Sequence, residues 1–120
     1  MNVIDWGEVE LEPEVDSWFD TLDKHDQGIV AFYIDLLAEQ GVLLGEPHTR
    51  QLDGKLRELR FHLEREAVRI SYWIAPGRRI VLLTVFRKRQ MRERAEVARA
   101  RRAMERCIRE EHTAEEGYRR

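Results

Sequence analysis

Arg60 and His62 stand two residues apart in a run that alternates polar and apolar side chains, so an extended chain puts both on one face. Arg69 stands two residues before Ser71 in a second such run, and Arg87, Lys88 and Arg89 follow directly after a third. A guanidinium matches phosphate oxygens through its planar fork and also stacks on bases. Histidine is the side chain whose ordinary pKa lies nearest neutrality, so it can take or give a proton at physiological pH. Arginines and one imidazole on neighbouring strands therefore point to chemistry at a phosphate, with His62 moving the proton. Arg60 has a competing use, an ion pair with Glu58 or Glu64. His25, His48 and His112 fall in turns, a loop and the tail, where a surface role is the simpler reading.

The distribution of charge fits a polyanionic partner. The formal net charge is only −2, yet the two halves of the chain have opposite sign. Residues 1–47 carry twelve Asp and Glu against one base, Lys24, whereas residues 48–112 carry eighteen Lys and Arg, nearly all arginine, against nine acids. The arginines of residues 92–110 can instead form a solvated helix face paired to glutamates. Charged residues make up 37% of the chain, well above the ~25% of an average domain, which describes a soluble domain with a heavily charged surface. No run approaches the ~18 apolar residues of a membrane span. The segment Met1 to Leu11 lacks the basic start and apolar core of a signal peptide, so the cytoplasm is the expected location. A single cysteine, Cys107, excludes an internal disulfide, offers no zinc-binding spacing, and reads as a small apolar helix residue.

These residues need elements to position them, and a chain of 120 residues is the size of one domain. Residues 1–112 are expected to form it, with 113–120 a polar tail. Pro13, flanked by acids, starts a helix whose apolar positions are Val15, Trp18, Phe19 and Leu22. Asp26 is a candidate cap for a second helix carrying Ile29, Phe32, Tyr33, Leu36 and Leu37, which Gly41 stops. The two form a hairpin, and a short strand within Asn2 to Val9 precedes them. Gly45 to Pro47 is a loop and Asp53-Gly54 a turn. Three strands follow, Leu56 to Leu63, Val68 to Ile74 and Arg79 to Phe86, joined by short turns into an antiparallel meander. The third is nearly all apolar, as suits a central strand covered on both faces. Glu93 to Glu111 closes the domain as a helix with Val97, Ala100, Met104, Cys107 and Ile108 along one stripe. The expected fold is α+β in two layers, the hairpin packed on a small antiparallel sheet.

Three runs carry a resemblance: Leu52-Asp53-Gly54-Lys55-Leu56-Arg57-Glu58-Leu59-Arg60-Phe61, Val68-Arg69-Ile70-Ser71-Tyr72, and Ile80-Val81-Leu82-Leu83-Thr84-Val85-Phe86-Arg87-Lys88-Arg89. In that order they resemble the RelE/HigB superfamily of type II toxins, most closely its phage-derived HigB-like branch, and the start Trp18-Phe19-Asp20-Thr21-Leu22 is similar too. The resemblance implies ribosome-dependent cleavage of mRNA without metal or other cofactor. It also implies a helix-turn-helix antitoxin of the HigA kind as partner, in an assembly such as a heterotetramer, and no membrane. An alternative is a toxin that cleaves nothing and binds a protein such as DNA gyrase. Cleaving RNA without metal requires a base for the 2′-hydroxyl proton, cations for the charge on the phosphate, and an acid for the departing 5′ oxygen. The catalytic candidates are Arg60, His62, Arg69 and Lys88. Arg69 matches the family's phosphate-binding arginine, and Arg87, Lys88 and Arg89 stand where the family carries a Lys-Arg pair. Arg87, Arg89 and Phe86 are the RNA-binding candidates, Phe86 as a surface on which a base stacks. The chain has Thr84 where relatives often carry histidine, and Glu105, Arg106 and Cys107 where many carry tyrosine or histidine.

Overall fold

The computed structural model describes residues 5–87 and 93–110. Their elements are β1 (Glu8–Leu11), α1 (Pro13–Asp20), α2 (Lys24–Gln40), β2 (Thr49–Asp53), β3 (Leu56–Leu63), β4 (Glu66–Ala75), β5 (Arg79–Arg87) and α3 (Glu93–Glu110). A single 3-10 turn, Gly41–Leu43, follows α2. Asn2 to Ile4, Lys88, Arg89, Glu111, His112 and the tail lie outside the described residues, so the expectations placed on them stand as sequence readings.

α1 begins at Pro13, whose missing N–H is no loss in a first turn, and Glu14 and Asp16 complement the helix dipole there. α2 is capped by Asp23 rather than by the expected Asp26: the Asp23 carboxylate accepts a hydrogen bond from the Asp26 amide at 2.8 Å. Gly41 ends α2 with φ at +49°. A side chain is excluded there twice over, because a Cβ would also lie 2.1 Å from the Trp6 ring. Phe32 does not share the buried stripe expected of it; it stands 61% exposed while Ile29, Tyr33 and Leu36 pack inward.

The sheet is larger than the three-strand meander expected from the alternation. Five strands run in the order β1-β5-β4-β3-β2. β3, β4 and β5 form the antiparallel meander, β2 adds a further antiparallel strand on β3, and β1 pairs parallel to β5. A strand therefore precedes the helical hairpin, and the sheet is mixed. The two-layer expectation is also corrected, because helices cover both faces. α1 and α2 pack with Leu59, Phe61, Val68, Ile70, Tyr72, Ile80 and Leu82. α3 packs its Ala100, Ala103 and Cys107 on Leu56, Trp73, Ala75, Val81 and Leu83 of the opposite face. Ile108, expected on that stripe, is 44% exposed. β5 belongs to both cores, and Ile80, Val81, Leu82 and Leu83 are each at most 2% exposed. Fully burying an aliphatic side chain contributes about 1.5–3 kcal/mol, so this strand anchors the domain. No helix among the described residues is long and apolar enough to cross a membrane.

Beyond Leu82 one edge of β5 has no strand beside it among the described residues, and side chains from two helices satisfy it instead. The Val85 amide donates to Glu14 of α1 at 2.9 Å, and Arg99 of α3 donates to the Val85 carbonyl at 3.1 Å. Arg99 also pairs with Glu14 and with Glu96. Burial pulls the Arg99 pKa down, but the hydrogen bonds to Glu14 and Glu96 outweigh it and raise it. This bridge fixes the start of α3 beside the sheet.

Candidate nucleic-acid interface

The apolar contacts of α3 lie toward one end of its sheet face. At the other end the apolar residues give way to polar ones in ordered rows. Arg60 on β3 stands opposite Arg69 on β4, which stands opposite Phe86 on β5. In the next row Glu58 faces Ser71, which faces Thr84. Directly opposed side chains have Cβ atoms ~5 Å apart, and like charges in that relation repel. The chain thus sets two guanidinium groups side by side where sheet stability alone would avoid them.

Glu58 answers the repulsion. Its side chain is 1% exposed, and its Oε1 lies 3.5 Å from Nε of Arg69 and 3.8 Å from Nε of Arg60. Neither carboxylate oxygen accepts a hydrogen bond among the described residues. Burial pushes the Glu58 carboxyl above its ordinary pKa, against the opposing pull of Arg69 and then Arg60. Burial likewise lowers the Arg69 pKa, Arg60 lowers it further, and Glu58 only partly offsets them. Both partners are therefore displaced toward losing their charge, as expected of a buried ion pair whose attraction does not repay desolvation.

Ser71 and Thr84 have a structural task. The register between β4 and β5 slips beside Ser71, and the Ser71 Oγ accepts from the Thr84 amide at 3.0 Å and bonds the Thr84 hydroxyl at 2.5 Å. The hydroxyl pair satisfies polar groups that the irregular ladder would leave buried without partners.

Arg60, His62 and Arg69 line one cleft of about 340 Å³, together with Tyr33, Pro47, His48 and Phe61. Three of the four catalytic candidates are thus brought together, and the ion pair of Arg60 with Glu58 is present as well. His62 is exposed, on the same face of β3 as Arg60. Arg69 is only 4% exposed. Phe86 is buried in the row beside Arg69, so it supports the arginine and is not an open stacking surface. Arg87 does not join the site: it stands opposite Val68 on the hairpin face and pairs with Glu66. Lys88 and Arg89 lie outside the described residues, so of the basic candidates Arg60, Arg69, Arg87, Lys88 and Arg89 the described cleft holds Arg60 and Arg69.

Sequence reasoning weighed Glu58 only as a rival use for Arg60 and did not find Tyr33 or His48. Alternation had placed Glu58 on the face of Arg60 and His62, but nothing local shows that it lies beneath the arginines. Tyr33 comes from α2, stacks on Phe61 with ring centroids 5.0 Å apart and leans on His48 at 5.8 Å, contacts that only tertiary packing makes.

Fold and site together define a small α+β domain with a paired-arginine cleft at the polar end of one sheet face. Residues 17–107 match the family described as phage derived protein Gp49-like (DUF891), and the chain belongs to that family. Comparison with curated proteins gives no match.

Proposed function

We propose that the Arg60–Arg69 cleft binds a phosphodiester of single-stranded RNA, and that the protein is the toxin of a toxin–antitoxin pair that cuts mRNA on the ribosome. The observation carrying this reading is the cross-strand opposition of Arg60 and Arg69 with His62 on the same cleft wall. Membership of a phage-derived family and the resemblance to RelE/HigB toxins support it. In the reaction the ribose 2′ oxygen attacks the adjacent phosphorus and the bond to the 5′ oxygen breaks, leaving a 2′,3′-cyclic phosphate and a 5′-hydroxyl. His62 takes the 2′ proton. The two guanidinium groups stabilise the extra negative charge on the phosphorane oxygens. Lys88, directly after β5 in the chain, is the nominated donor to the departing oxygen. The acidic residues 1–47 oppose tight binding of free RNA, which accords with a substrate presented by the ribosome, and an antitoxin would silence the protein by covering the cleft.

The test is single-turnover cleavage of mRNA on programmed ribosomes. His62→Gln should slow it by roughly 100-fold to 10,000-fold and remove a pH dependence near neutrality. Arg60→Gln should cost on the order of 100-fold. Wild-type protein that arrests growth yet leaves ribosome-bound mRNA intact would reject cleavage and favour a toxin that acts by binding a protein.

A further inference from the structure

A buried carboxylate without hydrogen bonds is a costly group to keep in a sheet, since a charge so placed needs a compensating partner. Glu58 is in that position, and the arginines it touches are those of the cleft. Both contacts are made through Nε, the inner nitrogen of each guanidinium. The terminal nitrogens lie beyond it: among the described residues those of Arg60 make no hydrogen bond, and Nη1 of Arg69 donates only to the Val68 carbonyl at 3.2 Å. Two long side chains that would otherwise repel share one carboxylate oxygen between them.

The count of charge matters as much as the geometry. Among the described residues Arg60 and Arg69 against Glu58 leave one positive charge in excess, and the next charged groups acting on Glu58, Glu93 and Arg50, are of opposite sign to each other. A phosphodiester carries one negative charge, whereas a phosphomonoester approaches two at neutral pH. We propose that Glu58 is the positioning and charge-setting residue of the cleft, holding Arg60 and Arg69 side by side and matching them to a singly charged internal phosphodiester in preference to a doubly charged terminal phosphate. The proposal rests on the reading of the cleft as a phosphate site. It assigns Glu58 no contact with the reacting atoms, and it makes the site one for the interior of a nucleic-acid strand.

The experiment uses the full 15N-labelled chain at pH 8 and follows the arginine Nε–H signals by NMR. One probe is thymidylyl-thymidine, an uncleavable diester; the other is thymidine 3′-monophosphate. In wild type, two Nε–H signals should exchange slowly with water, both should shift with either probe, and the diester should bind at least as tightly as the monoester. Glu58→Gln should release the slow exchange and move the preference roughly tenfold toward the monoester, the change expected for one unit charge at a few ångströms in a partly screened site. Glu58→Asp, which keeps the charge on a shorter stem, should weaken both probes and leave their ratio unchanged. An unaltered ratio in Glu58→Gln would overturn the charge-setting role. Fast exchange of both Nε–H groups in wild type, with probes still binding, would overturn the clamp and needs no variant to fold. Slow exchange with no response to either probe would instead reject the phosphate reading and the selectivity that depends on it.

Discussion

Replacing Arg69 with methionine removes a 4%-exposed cation and leaves Glu58, 1% exposed, with only the 3.8 Å contact to a quarter-exposed Arg60. Breaking a buried pair from one side in this way costs ~3–5 kcal/mol, because the surviving charge stays buried without compensation. For a domain of this size that corresponds to a fall in Tm on the order of 10–20 °C. Removing both charges behaves differently. The double variant Glu58→Leu/Arg69→Met should lie within ~1 kcal/mol of wild type or exceed it, since apolar replacements of similar volume avoid the desolvation cost altogether. Urea unfolding followed by circular dichroism for wild type, both single variants and the double variant yields the coupling directly. The pH dependence has a definite sign. The Glu58 carboxyl is raised in the folded protein, so its contribution is fully present below its ordinary value of 4.5 and is lost as pH rises through the folded value. Arg69 supplies the largest opposing pull. Its loss should therefore destabilise the protein most near neutrality and least at about pH 4.5 and below. Additive single variants, with coupling below ~0.5 kcal/mol at pH 7, would refute the claim that Glu58 and Arg69 form one buried unit.

Gly41→Ala should cost more than ~1 kcal/mol in thermal melts, because it combines a positive φ with a Cβ driven into the Trp6 ring, and tryptophan fluorescence should report the displaced indole. Arg99→Ala removes bonds to Glu14, Glu96 and the Val85 carbonyl; with the side chain about a third exposed, ~1 kcal/mol is expected, together with faster hydrogen exchange at the Val85 amide. Burial pushes the Cys107 thiol up, so iodoacetamide at pH 7.5 should label the native protein slowly and the urea-unfolded protein rapidly.

Local pattern carried much of the fold into view. Alternation over Leu56 to Leu63 gave β3 with its observed ends, and the apolar run from Ile80 named a strand buried on both faces. β2 escaped notice because four of its five residues, Arg50, Gln51, Leu52 and Asp53, are exposed or half-buried at the sheet edge, where no alternation is imposed. The capping of α2 went to Asp23 because two acids three residues apart offer the same side chain to the same kind of helix start, and the hairpin connection decides between them. Placing α3 on the second face was not legible either. An amphipathic helix states that it has an apolar side, not which surface receives it. Arg60, His62 and Arg69 were found as a site because strand periodicity and side-chain chemistry coincide there. Their carboxylate partner was in plain sight, but burial is a property of the assembled sheet.

The fate of Arg87 shows how a backbone irregularity decides membership of the site. Strict alternation from Val81 would place Leu83, Val85 and Arg87 on the face of Arg60 and Arg69. The register slip between β4 and β5 leaves Leu83 under α3 but pairs Thr84 with Ser71 and returns Val85 to the hairpin core. Phe86 then falls beside Arg69, and Arg87 goes to the opposite face, where Glu66 meets it. Continued without the slip from Leu82 opposite Tyr72, the ladder would set Val85 opposite Arg69 and Arg87 opposite Ala67, one row further along the face of the two arginines, with a single buried carboxylate beside them to offset three guanidinium groups. With the slip, the uncharged ring of Phe86 stands opposite Arg69, and Arg87 leaves that face altogether. The excess of one positive charge is therefore set by the backbone of β5 as much as by the identity of residue 58.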